Sequence, residues 1–113
     1  MRMRTLSATL LVAFTTAVLV SATLVAPAHG ATMKTWSRLA KCESGGRWHI
    51  NTGNGYYGGL QISPGTWRGH GGKKYASNAH RATKREQVRV ATRIKKSQGW
   101  RAWPSCSRRI GVR

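Results

Sequence analysis

The sequence predicts a small α+β domain, mostly helical, with a short β-hairpin and one disulfide. Three observations carry this reading. Apolar residues recur at helical spacing in two separate segments, 33–43 and 83–98. Between them lies a glycine-rich stretch, 48–72, whose asparagines and glycines favour a tight reversal. The chain also holds two cysteines, Cys42 and Cys106, one towards each end of this region.

Ahead of that domain, Arg2 and Arg4 precede an uncharged, largely apolar run over 5–26, followed by Pro27, Ala28, His29, Gly30 and Ala31. Charge, apolar core and small residues in that order read as an export signal. Cleavage fits after Ala28 or after Gly30, giving a secretion signal at 1–30 and one domain at 31–113. An uncleaved membrane anchor is the alternative, because the run is long enough to span a bilayer. A domain of this size has a modest core. Export favours a disulfide between the two cysteines, with free or intermolecular thiols as the other reading. Closing so long a loop is worth about 4 kcal/mol in the loop-entropy model.

The elements follow in chain order. Over 33–43, Trp36, Leu39 and Ala40 share one helical face, Thr35 is the candidate cap, and Gly45-Gly46 stop the helix. Cys42 and Glu43 therefore sit in its last turn. Asn51, Gly53, Asn54 and Gly55 tolerate positive φ and read as a turn or short hairpin, while Tyr56-Tyr57 and Leu60-Gln61-Ile62 flank Gly58-Gly59. Trp48, Tyr56, Tyr57, Leu60, Ile62 and Trp67 supply more buriable surface than a linker carries. Ser63-Pro64 opens a short helix that ends within 69–72. Thr83-Lys84-Arg85-Glu86 matches a capping box, and the helix behind it runs through Val88, Val90, Ala91 and Ile94 to Gly99. Trp100, Trp103 and Cys106 then pin the tail.

Charge narrows the chemistry. Twenty Lys and Arg face two acids, Glu43 and Glu86, and the formal net charge is +18. A mechanism built on paired carboxylates needs both acids, yet Glu86 already has a capping role. A carboxyl at a helix end among Trp and Tyr is desolvated, so it holds a proton nearer neutrality and can deliver it. Glycosidic cleavage is the reaction best served, because its leaving oxygen needs a proton as an oxocarbenium-like centre develops. Flat aromatic faces and amides suit sugar rings, hydroxyls and acetamido groups. A solvated surface glutamate beside a Gly-Gly turn is the plainer reading. No cofactor or metal is expected: His49, His70 and His80 lack tight ligand spacing, and the positive field repels cations. His49 and His80 read as surface residues.

Four stretches in order, WSRLAKCESGGRW at 36–48, INTGNGYYGGLQI at 50–62, QGW at 98–100 and AWPSC at 102–106, resemble the catalytic domain of the resuscitation-promoting factors. Those are secreted actinobacterial cell-wall enzymes, and the resemblance runs from Trp36 to about Gly111. It implies a fold similar to lysozymes and soluble lytic transglycosylases, a helical domain with a small β-hairpin beside a sugar cleft. It also implies a Cys42–Cys106 disulfide, a catalytic Glu43, substrate contact by Thr66, and cleft positions at Asn51, Tyr56 and Gln61. Trp48 and Trp67 join them as substrate-binding candidates on aromatic character, with core packing as their other role.

The implied reaction is cleavage of the β-1,4 bond between N-acetylmuramic acid and N-acetylglucosamine in peptidoglycan, in wall remodelling and the regrowth of dormant cells. With no second carboxylate free, attack by the muramic acid's own 6-hydroxyl is preferred, and hydrolysis is the alternative. The implied partners are peptidoglycan glycan strands, with anionic wall polymers or another wall hydrolase, for a secreted, wall-associated monomer without a specific nucleic acid. The chain departs from the family pattern in charge. Ser37 and Thr92 stand where members carry acids, and Arg89, Arg93, Lys95 and Lys96 make the last long helix basic. That excess points to attraction towards anionic wall polymers or peptide-stem carboxylates. Three classes compete: a cationic wall-binding domain without turnover, a membrane-active antimicrobial protein, and a nucleic-acid binder. The glycine-rich middle interrupts the amphipathic helix that the second needs, and export counts against the third.

Overall fold

A computed structural model describes Met3, residues 11–18 and residues 31–113. The expected cleavage positions after Ala28 and Gly30 lie outside the described residues. Among those described, no helix is long and apolar enough to cross a membrane. The domain is built from α1 (Met33–Ser44), α2 (Pro64–Gly69), α3 (Lys84–Gln98) and α4 (Pro104–Arg109), with 3-10 turns at Gly72–Lys74, Ala79–Arg81 and Trp100–Ala102.

Local chemistry explains the helix ends. The cap of α1 is Thr32, not the expected Thr35: the Thr35 amide is an orphan donor of the first turn and bonds the Thr32 hydroxyl at 3.3 Å. At the other end, Gly45 adopts φ 66° and returns its N–H to Lys41 O, while the Gly46 N–H reaches Ala40 O. Ser63 caps α2 with Pro64 in its first turn. The α3 capping box is complete, since Glu86 Oε1 accepts the Thr83 N–H at 2.9 Å and Thr83 Oγ1 accepts the Glu86 N–H at 3.1 Å.

Each long helix turns its apolar stripe inward. Trp36, Leu39 and Ala40 of α1 meet Val90, Ala91 and Ile94 of α3 in one buried cluster, with Leu60 and Trp67 fully enclosed between the helices in sequence. Fully burying each large side chain contributes about 2–3 kcal/mol. Trp36 packs edge-on against Trp103 at 5.3 Å and tilts against Trp100 at 5.2 Å. The Cys42–Cys106 disulfide joins α1 to α4 with Cα atoms 5.7 Å apart.

The expected β-hairpin is not formed, so the described domain is helical rather than α+β. The segment holds two isolated antiparallel bridges, Asn51 with Tyr57 and Tyr57 with Ile62, and no strand among the described residues. The cause is local. Gly53, Gly55, Gly58 and Gln61 all take positive φ, which breaks every extended run after two or three residues. Asn51 Oδ1 and Asn54 Oδ1 accept the N–H groups of Gly53 and Tyr56, offering the backbone a turn in place of a ladder. The residues that suggested a hairpin turn therefore turn the chain too often for a hairpin.

The resulting coil is held by buried side chains. The Gly59 N–H donates to Gln87 Oε1 at 3.0 Å, and the Gly59 carbonyl accepts from Ser44 Oγ at 2.8 Å. Trp103 Nε1 donates to Leu60 O at 2.8 Å. Gln87 Nε2 also reaches Trp48 O and Ala82 O, at 2.7 and 3.0 Å.

Two stability outcomes follow from this packing. Replacing both cysteines by serine removes a closure over 64 residues and lowers unfolding free energy by about 4 kcal/mol in denaturant titration. Gln87→Ala leaves a buried N–H and two carbonyls unpaired, and the same titration is expected to lose about 3 kcal/mol or more.

Candidate active site

Glu43 sits in the last turn of α1, directly after the disulfide-bonded Cys42, which fixes where that turn points. Its partly buried carboxyl lines a groove of about 550 Å³ with Tyr56, Gln61, Ala102, Trp103 and Pro104. A second hollow of about 300 Å³ shares Tyr56, Gln61, Ala102 and Trp103 and extends to Ser63, Thr66 and Gln98. Because the two share those four residues, they form one continuous cleft. Burial raises the pKa of Glu43 above the ordinary carboxylate value of 4.5. That rise occurs in a strongly cationic chain, whose field favours the ionised form.

Of the residues singled out in the sequence, Glu43, Tyr56, Gln61 and Thr66 meet along this cleft. Tyr56 is 51% exposed, leaving an aromatic face open to a ligand. Gln61 is the one non-glycine residue among those described with positive φ, at 52°. Such a backbone costs about 1–2 kcal/mol, and here it is held by the Gln61 Nε2 bond to Gly58 O at 3.0 Å. Thr66 sits in the first turn of α2, where its hydroxyl shares a 2.9 Å hydrogen bond with Ser63 Oγ.

Three candidates are placed elsewhere. Asn51 is exposed and closes its own turn through Gly53, outside the lining of the cleft. Trp67 is fully buried, with its Nε1 donating to Ala76 O at 2.9 Å, so no ring face is open. Trp48 packs under Gly59, so close that a methyl group there would lie 2.5 Å from its ring, and Lys84 stacks over it at 5.2 Å. Conversely, Gln98, Ala102, Trp103 and Pro104 line the cleft without having been singled out for it. The only signal for them was that they fall within the two C-terminal motifs. Glu86 stays engaged in the α3 cap, so Glu43 is the carboxylate of the cleft.

The cleft residues all lie within the stretch that matches known proteins. Residues 30–106 match the model of the transglycosylase-like domain. The chain belongs to the transglycosylase-like family found in resuscitation-promoting factors. It is 51% identical over 105 residues to resuscitation-promoting factor Rpf1 of Corynebacterium glutamicum, covering 92% of this chain and 54% of that one. To RpfE of Mycobacterium tuberculosis it is 60% identical over 74 residues, 66% of this chain and 41% of the relative. To RpfB of Mycolicibacterium smegmatis it is 56% identical over 79 residues, 70% and 22% respectively. The chain thus spans about half, or less, of the length of these relatives.

The raised pKa of Glu43 has a testable sign. A carboxyl that binds its proton more tightly folded than unfolded adds stability below its unfolded pKa, and that contribution disappears as pH rises through the folded value. Thermal melts of the wild type should therefore lose stability across that window, while Glu43→Gln stays flat there and is at least as stable at pH 7.

Proposed function

We propose that this chain is a secreted, cell-wall-associated enzyme that cleaves the β-1,4 bond between N-acetylmuramic acid and N-acetylglucosamine, with Glu43 as general acid. The observation that carries the reading is a single carboxyl of raised proton affinity in an open cleft lined by Tyr56, Gln61 and Trp103. The identity to resuscitation-promoting factors supports the substrate and a role in wall remodelling and resuscitation from dormancy.

The glycan lies along the cleft with a sugar ring against the open face of Tyr56, and its polar substituents meet Gln61 and Thr66. The Glu43 carboxyl gives its proton to the glycosidic oxygen as the bond to muramic C1 breaks, and the N-acetylglucosamine end leaves as an alcohol. The resulting carboxylate then takes the proton of the muramic 6-hydroxyl while that oxygen bonds to C1. The product is a 1,6-anhydro sugar, and Glu43 is again protonated. No second carboxylate is required, which matches a chain whose only other side-chain acid caps α3. Desolvation serves this cycle by raising the proton affinity of Glu43, so that the carboxyl holds its proton to higher pH than an exposed glutamate does. The cationic surface draws the monomer towards anionic wall polymers.

Mass spectrometry of fragments released from purified peptidoglycan tests the reading. Anhydro-muramyl fragments are expected from the wild type, and about 10²–10⁴-fold less release from Glu43→Gln. Reducing-end fragments with the same dependence on Glu43 would make the enzyme a hydrolase. Release from neither protein, with both folded and bound to the wall, would leave a non-catalytic cationic wall binder.

A further inference from the structure

Beyond the cleft, the structure carries a second concave site. Pro104, Ser105, Arg108, Arg109 and Arg113 line a shallow, open depression at α4. Pro104 also lines the Glu43 groove, so the two sites adjoin. We propose that the Arg108, Arg109 and Arg113 pocket binds a carboxylate of the peptide stem carried by the muramic acid being cleaved, an inference that rests on the glycosidic reading of the cleft.

Three observations and one chemical rule lead there. Three arginines line the depression and neither side-chain acid of the chain is beside them, since Glu43 lines the cleft and Glu86 caps α3. The third arginine is held in place, since Arg113 Nη2 donates to Pro104 O at 2.8 Å and its Nε to Ser107 Oγ at 3.2 Å. The turn behind α4 is tethered from α1, where Arg38 Nη2 donates to Ile110 O at 2.7 Å. Guanidinium forks match planar two-oxygen anions better than point cations do, so the ligand is a carboxylate or a phosphodiester.

Position decides between them. A group bound beside Pro104 must hang from the same glycan strand, within reach of the scissile bond. The stem on the muramic lactyl group meets that condition. A polymer esterified to the muramic 6-hydroxyl would occupy the oxygen that attacks C1, so a phosphodiester at the reacting residue blocks the reaction the pocket would serve.

The test compares glycan strands bearing intact stems with the same strands after an amidase has removed the stems. Wild-type KM should be about tenfold lower on stem-bearing strands. In Arg108→Gln/Arg109→Gln that ratio should fall to about one. Lys84→Gln/Arg85→Gln removes two charges from a separate groove with Met33 and Val88, and should keep the ratio. A ratio of one in the wild type, or equal losses in both double variants, would overturn the site in favour of a diffuse field.

An NMR titration of the intact wild type reads binding without turnover. A free-acid stem tetrapeptide should shift the signals of Arg108, Arg109 and Arg113, and its carboxamide form should not. Shifts with dimethyl phosphate alone would overturn the carboxylate assignment. Peptide binding without cleavage of either strand would refute the enzyme reading and leave this site standing. Cleavage of both strands at equal KM, without peptide shifts, would do the reverse.

Discussion

The peptide groups of Gly58, Gly59 and Leu60 run through the interior, and a buried amide or carbonyl left without a partner there costs about 1–3 kcal/mol. The domain meets that demand from three directions. Ser44 arrives from the end of α1, Gln87 from the inner face of α3, and Trp103 from the turn ahead of α4. Gly58 completes the set, its N–H reaching Ile50 O and its carbonyl accepting from Gln61. Helices far apart in sequence are thus locked to one short coil. Tyr56 and Gln61, which flank that coil, face the end of α1 that carries Glu43. The glycines are required for space as much as for φ: at Gly59 a side chain would enter the ring of Trp48.

The same architecture sets the electrostatics of the site. Cys42 ties the end of α1 to α4 through Cys106, and Trp36 and Trp103 pack edge to face behind it. Glu43 follows that tether immediately, so its backbone is anchored while its carboxyl is half withdrawn from water. Desolvation then raises its proton affinity in a chain whose net charge pushes the other way. Acidic residues are scarce enough that each has one place: one at a helix cap, one in the cleft. Among the described cations, Lys84, Lys95 and Lys74 lie over the rings of Trp48, Trp100 and Tyr75.

Helix starts and stops were legible because they are local chemistry. The capping box at Thr83 and Glu86, Ser63 with Pro64, and the glycines after Ser44 all act within four residues. The error at Thr35 was one of register, since Thr32 and Thr35 are both plausible caps and even share a hydrogen bond at 3.2 Å. The hairpin was misread for a different reason. Asn-Gly patterns mark turns, but whether paired strands lie between the turns depends on how many consecutive residues stay extended.

Sequence alone determined the helical segments, the exclusion of paired-carboxylate chemistry and the singular position of Glu43, because composition and short-range periodicity depend only on neighbours along the chain. Which aromatic and amide groups face Glu43 was decided by tertiary packing. Trp48, Trp67, Trp103 and Tyr56 look alike as sequence letters, yet Trp67 is enclosed, Trp48 lies under Gly59, and Tyr56 and Trp103 border the cleft. Their places depend on where the buried bonds of Gln87, Ser44 and Trp103 draw the Gly58–Leu60 coil, and those bonds join residues 15, 28 and 43 positions apart.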